Sequence, residues 1–542
     1  MTNNSPDPGV PLLQRPTTRR ALLAGAATVA AGGAAIAIVG LATNSDDEAA
    51  PSTPETPTTP GATPTQTSAE RAAALAKEIP DAKVRAAHLL RRAGFGGTPA
   101  QIEEFAALSR EEAADRLLNL DAVDNSVLNA RIAAANFNLT TFGGGPDGTR
   151  PSLFRDMQRW WLYRMSYSAR PLEERMTFIW HGLLTTQQSN IGGPRSKMII
   201  NQNELFRANA LGQYDVLLKA IGKDPAMMIY LNTVDSTAAH PNENYARELM
   251  ELFSMGEGNY SEEDVREGAR AFTGWRVSLP ERRDPPPGLA DPERNEFINQ
   301  AYAAYQPTFQ LFPRQHDSGT KTFLGETGPW DGDDIVAIIM KQPATAKFMT
   351  RRLFSELAYR NPDDATLDRL VQVWESSNHT VKDVVRAILV SDEFYSMRAY
   401  RSLVRCPIDF VVGAVRGLEI ETDYMTYQQA SQTLDQRLYE PPNVAGWPGG
   451  EFWLSSGSFF GRVNFLDAFL FQRNRPIAIP ALANLPTAEA MVDEAVRRLV
   501  DDDISPESRE SIYAYASTIP DAGERAAAVA YLVLASPEYQ LV

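Results

Sequence analysis

The densest run of chemistry-bearing side chains is Pro241-Asn242-Glu243-Asn244-Tyr245-Ala246-Arg247-Glu248-Leu249-Met250-Glu251-Leu252-Phe253, closed by Gly256. Wound as a helix at about 100° per residue, it puts Tyr245, Ala246, Leu249, Met250, Leu252 and Phe253 on one face. Glu243, Asn244, Arg247, Glu248 and Glu251 take the other. Glu243 and Arg247 stand four residues apart, and so do Arg247 and Glu251, so one guanidinium can serve two carboxylates. Such a cluster can hold a cation or share a proton. The same spacing also describes a solvated face that pairs only with itself.

Histidine is the other candidate ligand and proton carrier. The five are His88, His181, His240, His316 and His379, and none has the helical spacing of a zinc-binding H-E-x-x-H pair. A site can still assemble from distant His181, His240 and His316 with Glu243 or Glu248, but isolated histidines more often serve as hydrogen-bonding residues. A divalent metal is therefore an alternative, not the favoured case. No nucleophile elbow, phosphate loop or dinucleotide fingerprint stands in a credible context, so no organic cofactor is expected. A third stretch runs from Leu438 to Gly450 and contains Tyr439 and Trp447, with Phe452, Trp453, Phe459 and Phe460 following. Aromatics on such a Gly/Pro-rich loop either stack on sugars or peptides, or plug the loop into the core.

Composition bounds the classes open to this chain. With 542 residues, 43% hydrophobic and 22% charged, it reads as globular, neither multispanning nor disordered. Lys and Arg number 52 against 68 Asp and Glu, a net charge of -16, and no basic stripe offsets it, so nucleic acid is excluded as a partner. A single cysteine, Cys406, excludes intrachain disulfides and cysteine-based zinc clusters.

Residues 1–42 read as an export signal. Arg19 and Arg20 precede an uncharged, Ala/Gly-rich run from Ala21 to Ala42, the pattern of the twin-arginine route. Gly40-Leu41-Ala42 offers small residues for cleavage; kept uncleaved, the run is long enough to anchor the chain. Either way the N-terminal segment meets the membrane, and the protein is expected outside the cytoplasm, secreted or envelope-associated. Residues 43–68 follow as an acidic, then Pro/Thr-rich linker.

The elements that must position the candidates are helical. From residue 69 to 542 the 3.6-residue period dominates, predicting an all-α, multi-helix domain with long irregular loops and little or no sheet. Predicted helices include Ala82–Arg92, Pro99–Ala107, Arg110–Leu120, Pro171–Leu184, Gln202–Ala220, Asn242–Met255, Tyr427–Leu438 and Ala522–Ala535. Thr98 and Ser109 are predicted N-caps. The longest irregular stretch, 278–328, is where a subdivision would fall. One echo is visible: Ala387–Phe394 and Leu532–Tyr539 both end an apolar helix in Ser-x-Glu-aromatic.

Taken together these stretches resemble a bacterial family known as domain of unknown function 1800. The resemblance is carried by His88-Leu89-Leu90-Arg91-Arg92-Ala93-Gly94-Phe95-Gly96, Trp180-His181, the Asn242–Leu249 run, Ala271-Phe272-Thr273-Gly274-Trp275, His316-Asp317-Ser318-Gly319 through Gly325, and Pro441-Pro442-Asn443-Val444-Ala445-Gly446-Trp447. It implies a largely helical, usually exported protein, often encoded beside a sulfatase-like exported partner, and it supplies no settled reaction. Many relatives continue Trp-His into Asn-His; here Gly182-Leu183 follows, which weakens the case for metal at that point.

Two functions remain open. One is a scaffold or accessory protein of the cell envelope, acting for an exported partner. The other is an envelope hydrolase using Glu243, Glu248, His181, His316, Asp317 and Arg247, with or without a divalent cation. The polar face around Arg247 is expected to be buried, because a chain this long can cover both faces of a central helix.

Overall fold

The computed structural model describes residues 68–139, 153–278, 285–303, 307–430, 434–472 and 475–542. The export signal and all but the last residue of the linker lie outside the described residues. Helices dominate, and the only sheets among the described residues are two antiparallel pairs of short strands. The expected fold class is therefore the one observed. None of the described helices is long and apolar enough to cross a membrane.

Local chemistry sets the helix starts. Thr98 and Ser109 form capping boxes with Gln101 and Glu112, and Asp81 caps Ala82–Arg92 through Lys83 N and Val84 N. Each satisfies backbone donors that a helix leaves free at its first turn. Three expected helices differ. The run predicted over 202–220 is two helices, Lys197–Ala208 and Tyr214–Gly222, because Asn209–Gln213 turns between them. Asn244–Glu251 is shorter than predicted at both ends, and Met425–Ala430 stops well before Leu438.

The described parts of the stretch 278–328 hold more regular structure than the sequence suggests. They include the helix Asp291–Ala303 and three strands. Phe309–Leu311 pairs with Trp275–Val277, and Lys321–Phe323 with Glu326–Gly328. The second pair turns through Leu324 and Gly325, both at positive φ (47° and 83°), the geometry of a tight hairpin turn.

Two hydrophobic clusters form the interior. The first gathers Leu89, Leu172, Trp180, Leu249, Phe272, Phe354 and Trp374 among others. The second gathers Trp161, Met165, Phe410, Tyr439, Phe469 and Tyr531. The helix Pro171–Leu183 runs between them. Its Leu172, Met176, Ile179 and Trp180 belong to the first cluster, while Phe178 packs on the second. The sequence echo is a repeated turn: Phe394 N donates to Ser391 Oγ (3.2 Å) and Tyr539 N to Ser536 Oγ (3.4 Å). Both aromatics are buried.

Candidate functional site

The Asn244–Glu251 helix buries Tyr245, Ala246, Leu249 and Met250, as its pattern predicts. Its polar face, however, is not covered. Arg247 keeps 33% of its side chain exposed and Glu243 keeps 42%. Arg247 Nη2 reaches Glu243 Oε2 at 3.2 Å, and its other main partner is Glu262, at 2.8 Å, on the neighbouring helix Glu262–Ala271. Glu251 instead accepts from the Tyr260 hydroxyl at 2.7 Å. The expected burial is thus corrected: packing uses one face of this helix and leaves the charges to water. Arg247→Ala should cost less than about 1 kcal/mol in urea unfolding, the range for screened surface pairs. A loss of several kcal/mol would show that the face is covered after all. Burial, with the nearby Glu251 charge, raises the carboxyl of half-buried Glu248 above its ordinary range, and Arg247 opposes this.

His316 and Asp317 follow the short turn Pro313–Gln315 and pack against the C-terminal end of the same neighbouring helix. His316 Nδ1 bonds the Thr273 carbonyl oxygen (2.9 Å), and the Asp317 backbone N–H donates to Thr273 Oγ1 (2.7 Å). Asp317 Oδ2 accepts from Arg270 Nε at 2.7 Å. Side-chain bonding to Arg270 holds the Asp317 carboxyl below the usual carboxylate range, against a smaller effect of burial. Gly274 makes the junction work. Its φ is +74°, and a Cβ there would stand 2.7 Å from the Phe312 carbonyl oxygen and 2.8 Å from His316 N. Two of the family stretches are therefore each other's binding partners. His240 is exposed, on a turn whose Ala238 N–H donates to the Gln315 carbonyl oxygen at 2.8 Å.

His181 belongs elsewhere. It is 2% exposed and lies among Trp161, Tyr439 and Trp447, with ring centroids 5.1 to 5.5 Å away. Its Nε2 accepts from the Tyr439 backbone N–H at 3.2 Å, so the neutral ring carries its proton on Nδ1. Burial pushes its pKa down to about 3. Leu183, where the resemblance leads one to expect a second histidine, is buried in the first cluster. Two turns before His181 on the same helix, Glu174 is fully buried and accepts from Arg164, Arg207 and the Trp161 indole at 2.8 to 3.1 Å.

Among the described residues no three His, Cys, Asp or Glu side chains stand together as a metal-holding group. The sequence-predicted residues thus fall into three places: Glu243, Glu248 and Arg247; His316 and Asp317, with His240 on an adjoining turn; and His181 alone.

A cavity of about 430 Å³ is the feature that sequence reasoning missed. Arg91, Arg92, Arg175, Arg351, Arg352 and Arg360 line it, with Asp409 and Glu356 as its carboxylates. Trp447 and Trp453 from the aromatic stretch form part of the wall, so that stretch divides: Trp453 and Tyr439 are buried, while Phe452 and Phe460 are more than half exposed. None of the catalytic or metal-binding candidates read from the sequence lines this cavity. Cys406 does, but burial, reinforced by the Asp409 charge, pushes its thiol far above the ordinary range, which disfavours the nucleophilic thiolate. The available signal was Arg91-Arg92 inside a helix whose other residues are largely apolar.

The fold and these sites define a mostly helical protein whose polar motifs bind one another across the chain and which carries an arginine-lined cavity. The chain belongs to the family described as "Protein of unknown function (DUF1800)", whose family model matches residues 88–541. No curated protein and no solved structure matches it.

Proposed function

We propose that this protein is an exported scaffold or accessory protein of the cell envelope, acting for an exported partner of the sulfatase-like kind. The observation that carries the reading is how the His88–Gly96 motif is used. His88 Nε2 bonds the Phe394 carbonyl oxygen at 3.0 Å, and Arg91 pairs with Asp501. Arg92 donates to the carbonyl oxygen of Ala399 (2.8 Å). The Gly94 carbonyl oxygen accepts from Arg175, and that of Gly96 from Arg416, both at 2.7 Å. Five side chains and two carbonyls thus fasten segments up to 410 residues apart, work that buried polar groups do when they hold a fold. The Arg19-Arg20 signal supports the location.

Complementation of a deletion strain tests both halves of this reading. The Arg19→Lys/Arg20→Lys variant should stay in the cytoplasm and fail to restore whatever trait the deletion removes. Glu243→Gln/Glu248→Gln/His316→Asn should restore it fully. A folded, exported triple variant that fails would favour the hydrolase. Normal export of the double-lysine variant would remove the twin-arginine assignment.

A further inference from the structure

We infer that the arginine-lined cavity binds an oxyanion carried on a small organic ligand. The formal charge of the whole chain is -16, yet six guanidinium groups converge here against two carboxylate side chains, with Val542 also in the lining. Three of the six are spoken for: Arg91 pairs with Asp501, Arg175 with Asp409 at 2.5 Å, and Arg352 with Glu356 at 3.1 Å. Arg92, Arg351 and Arg360 have no carboxylate partner among the described residues.

Arg92 is the most telling. It is 2% exposed, and its Nη2 is held by the Ala399 carbonyl oxygen and by Ser402 Oγ at 2.9 Å. Its Nε and Nη1 are buried and meet no acceptor among the described residues. Arg92 lines the cavity, and a buried guanidinium with two unmet nitrogens and no carboxylate partner favours an anion close by. Burial and the adjacent Arg175 charge bring the Arg92 pKa down to about 9, as expected for a cation short of a counter-charge.

Arg360, also in the lining, is exposed and lies against the loop backbone at Gly450, whose φ is +59°. A Cβ at Gly450 would fall 2.5 Å from Arg360 Cζ, so glycine is what lets the guanidinium rest there. The volume is in the range of small-molecule sites. Planar N–H forks favour carboxylate, phosphate or sulfate, and the two tryptophans suit a ring carrying such a group.

Calorimetry on the purified protein, at fixed ionic strength in chloride, tests this with three probes: inorganic phosphate, inorganic sulfate and glucuronate. Saturable one-to-one binding of one probe in preference to the others is expected, and the preferred probe tells which oxyanion the site takes. Arg351→Ser/Arg360→Ser should weaken it at least tenfold while leaving the unfolding midpoint unchanged, since neither side chain has an ion pair. Arg92→Lys, which keeps the charge but not the fork, should weaken it as well. No saturable binding of any probe would overturn the inference. So would binding that the double variant leaves unchanged, or an equal weak response to all three probes. None of these failures touches the accessory reading, which rests on complementation.

Discussion

Glu174→Ala is expected to cost about 3–5 kcal/mol of folding stability, the range for stranding buried charge. Glu174 is fully buried, and two guanidinium groups, of Arg164 and Arg207, depend on it for counter-charge. Both also lie over the Trp160 ring, at 5.4 and 5.3 Å, which fixes them in place. Removing the carboxylate leaves Arg164 with no carboxylate partner among the described residues, and Arg207 with only its existing pair to half-exposed Glu204 at 2.9 Å. That loss is a large part of the 5–15 kcal/mol that usually separates folded from unfolded chains. Urea unfolding at neutral pH checks it. The triple replacement of Glu174, Arg164 and Arg207 by methionine should lose less than Glu174→Ala alone, because no charge is then stranded. A small loss for Glu174→Ala would mean that water reaches the cluster.

Acid should destabilise the protein well before its surface carboxylates protonate. His181 is held neutral by burial, with a pKa near 3. His88 is also pushed well down, first by burial and then by the Arg92 and Arg91 charges. Below about pH 6.5 the unfolded chain protonates both histidines while the folded chain does not, so stability falls with pH, each group contributing about tenfold in the folding equilibrium per unit. Asp224 works in the opposite sense. Burial raises its pKa to about 6, so the folded state takes up its proton first and gains stability as pH falls from there. The two histidine losses outweigh the Asp224 gain, so stability should fall between pH 7 and pH 4.5. Glu174 adds to it below about pH 4.5, because the Arg207 and Arg164 charges outweigh burial and hold its carboxyl low. Unfolding midpoints across this range measure the slope, and His181→Gln should flatten it by one group's share. A pH-independent midpoint would contradict both histidine assignments.

What the sequence could reveal followed from local rules. The caps at Thr98 and Ser109, and the apolar face of the Arg247 helix, depend on neighbours within four residues and were readable. Arg247's second partner, Glu262, is fifteen residues away and on another helix, so spacing within one helix pointed wrongly to Glu251. The helix Ser456–Leu470 escaped because its apolar residues surround it, as Val463, Phe465, Leu466 and Phe469 do, leaving little face to detect. The strands in 309–328 are three residues each, too short for alternation to show. The cavity was hidden for a different reason: its arginines come from four separate stretches, and only the fold gathers them.

That the Trp180-His181 motif is an internal tie, not a reacting group, can be tested on one ring. Nitrogen NMR of the His181 imidazole in the intact protein should show a neutral, Nδ1-protonated ring from pH 7 down to about pH 4.5, accepting at Nε2 throughout. A titration near the ordinary value of about 6.5 would show a solvated, exchangeable imidazole, and His181 would return to the groups able to move a proton.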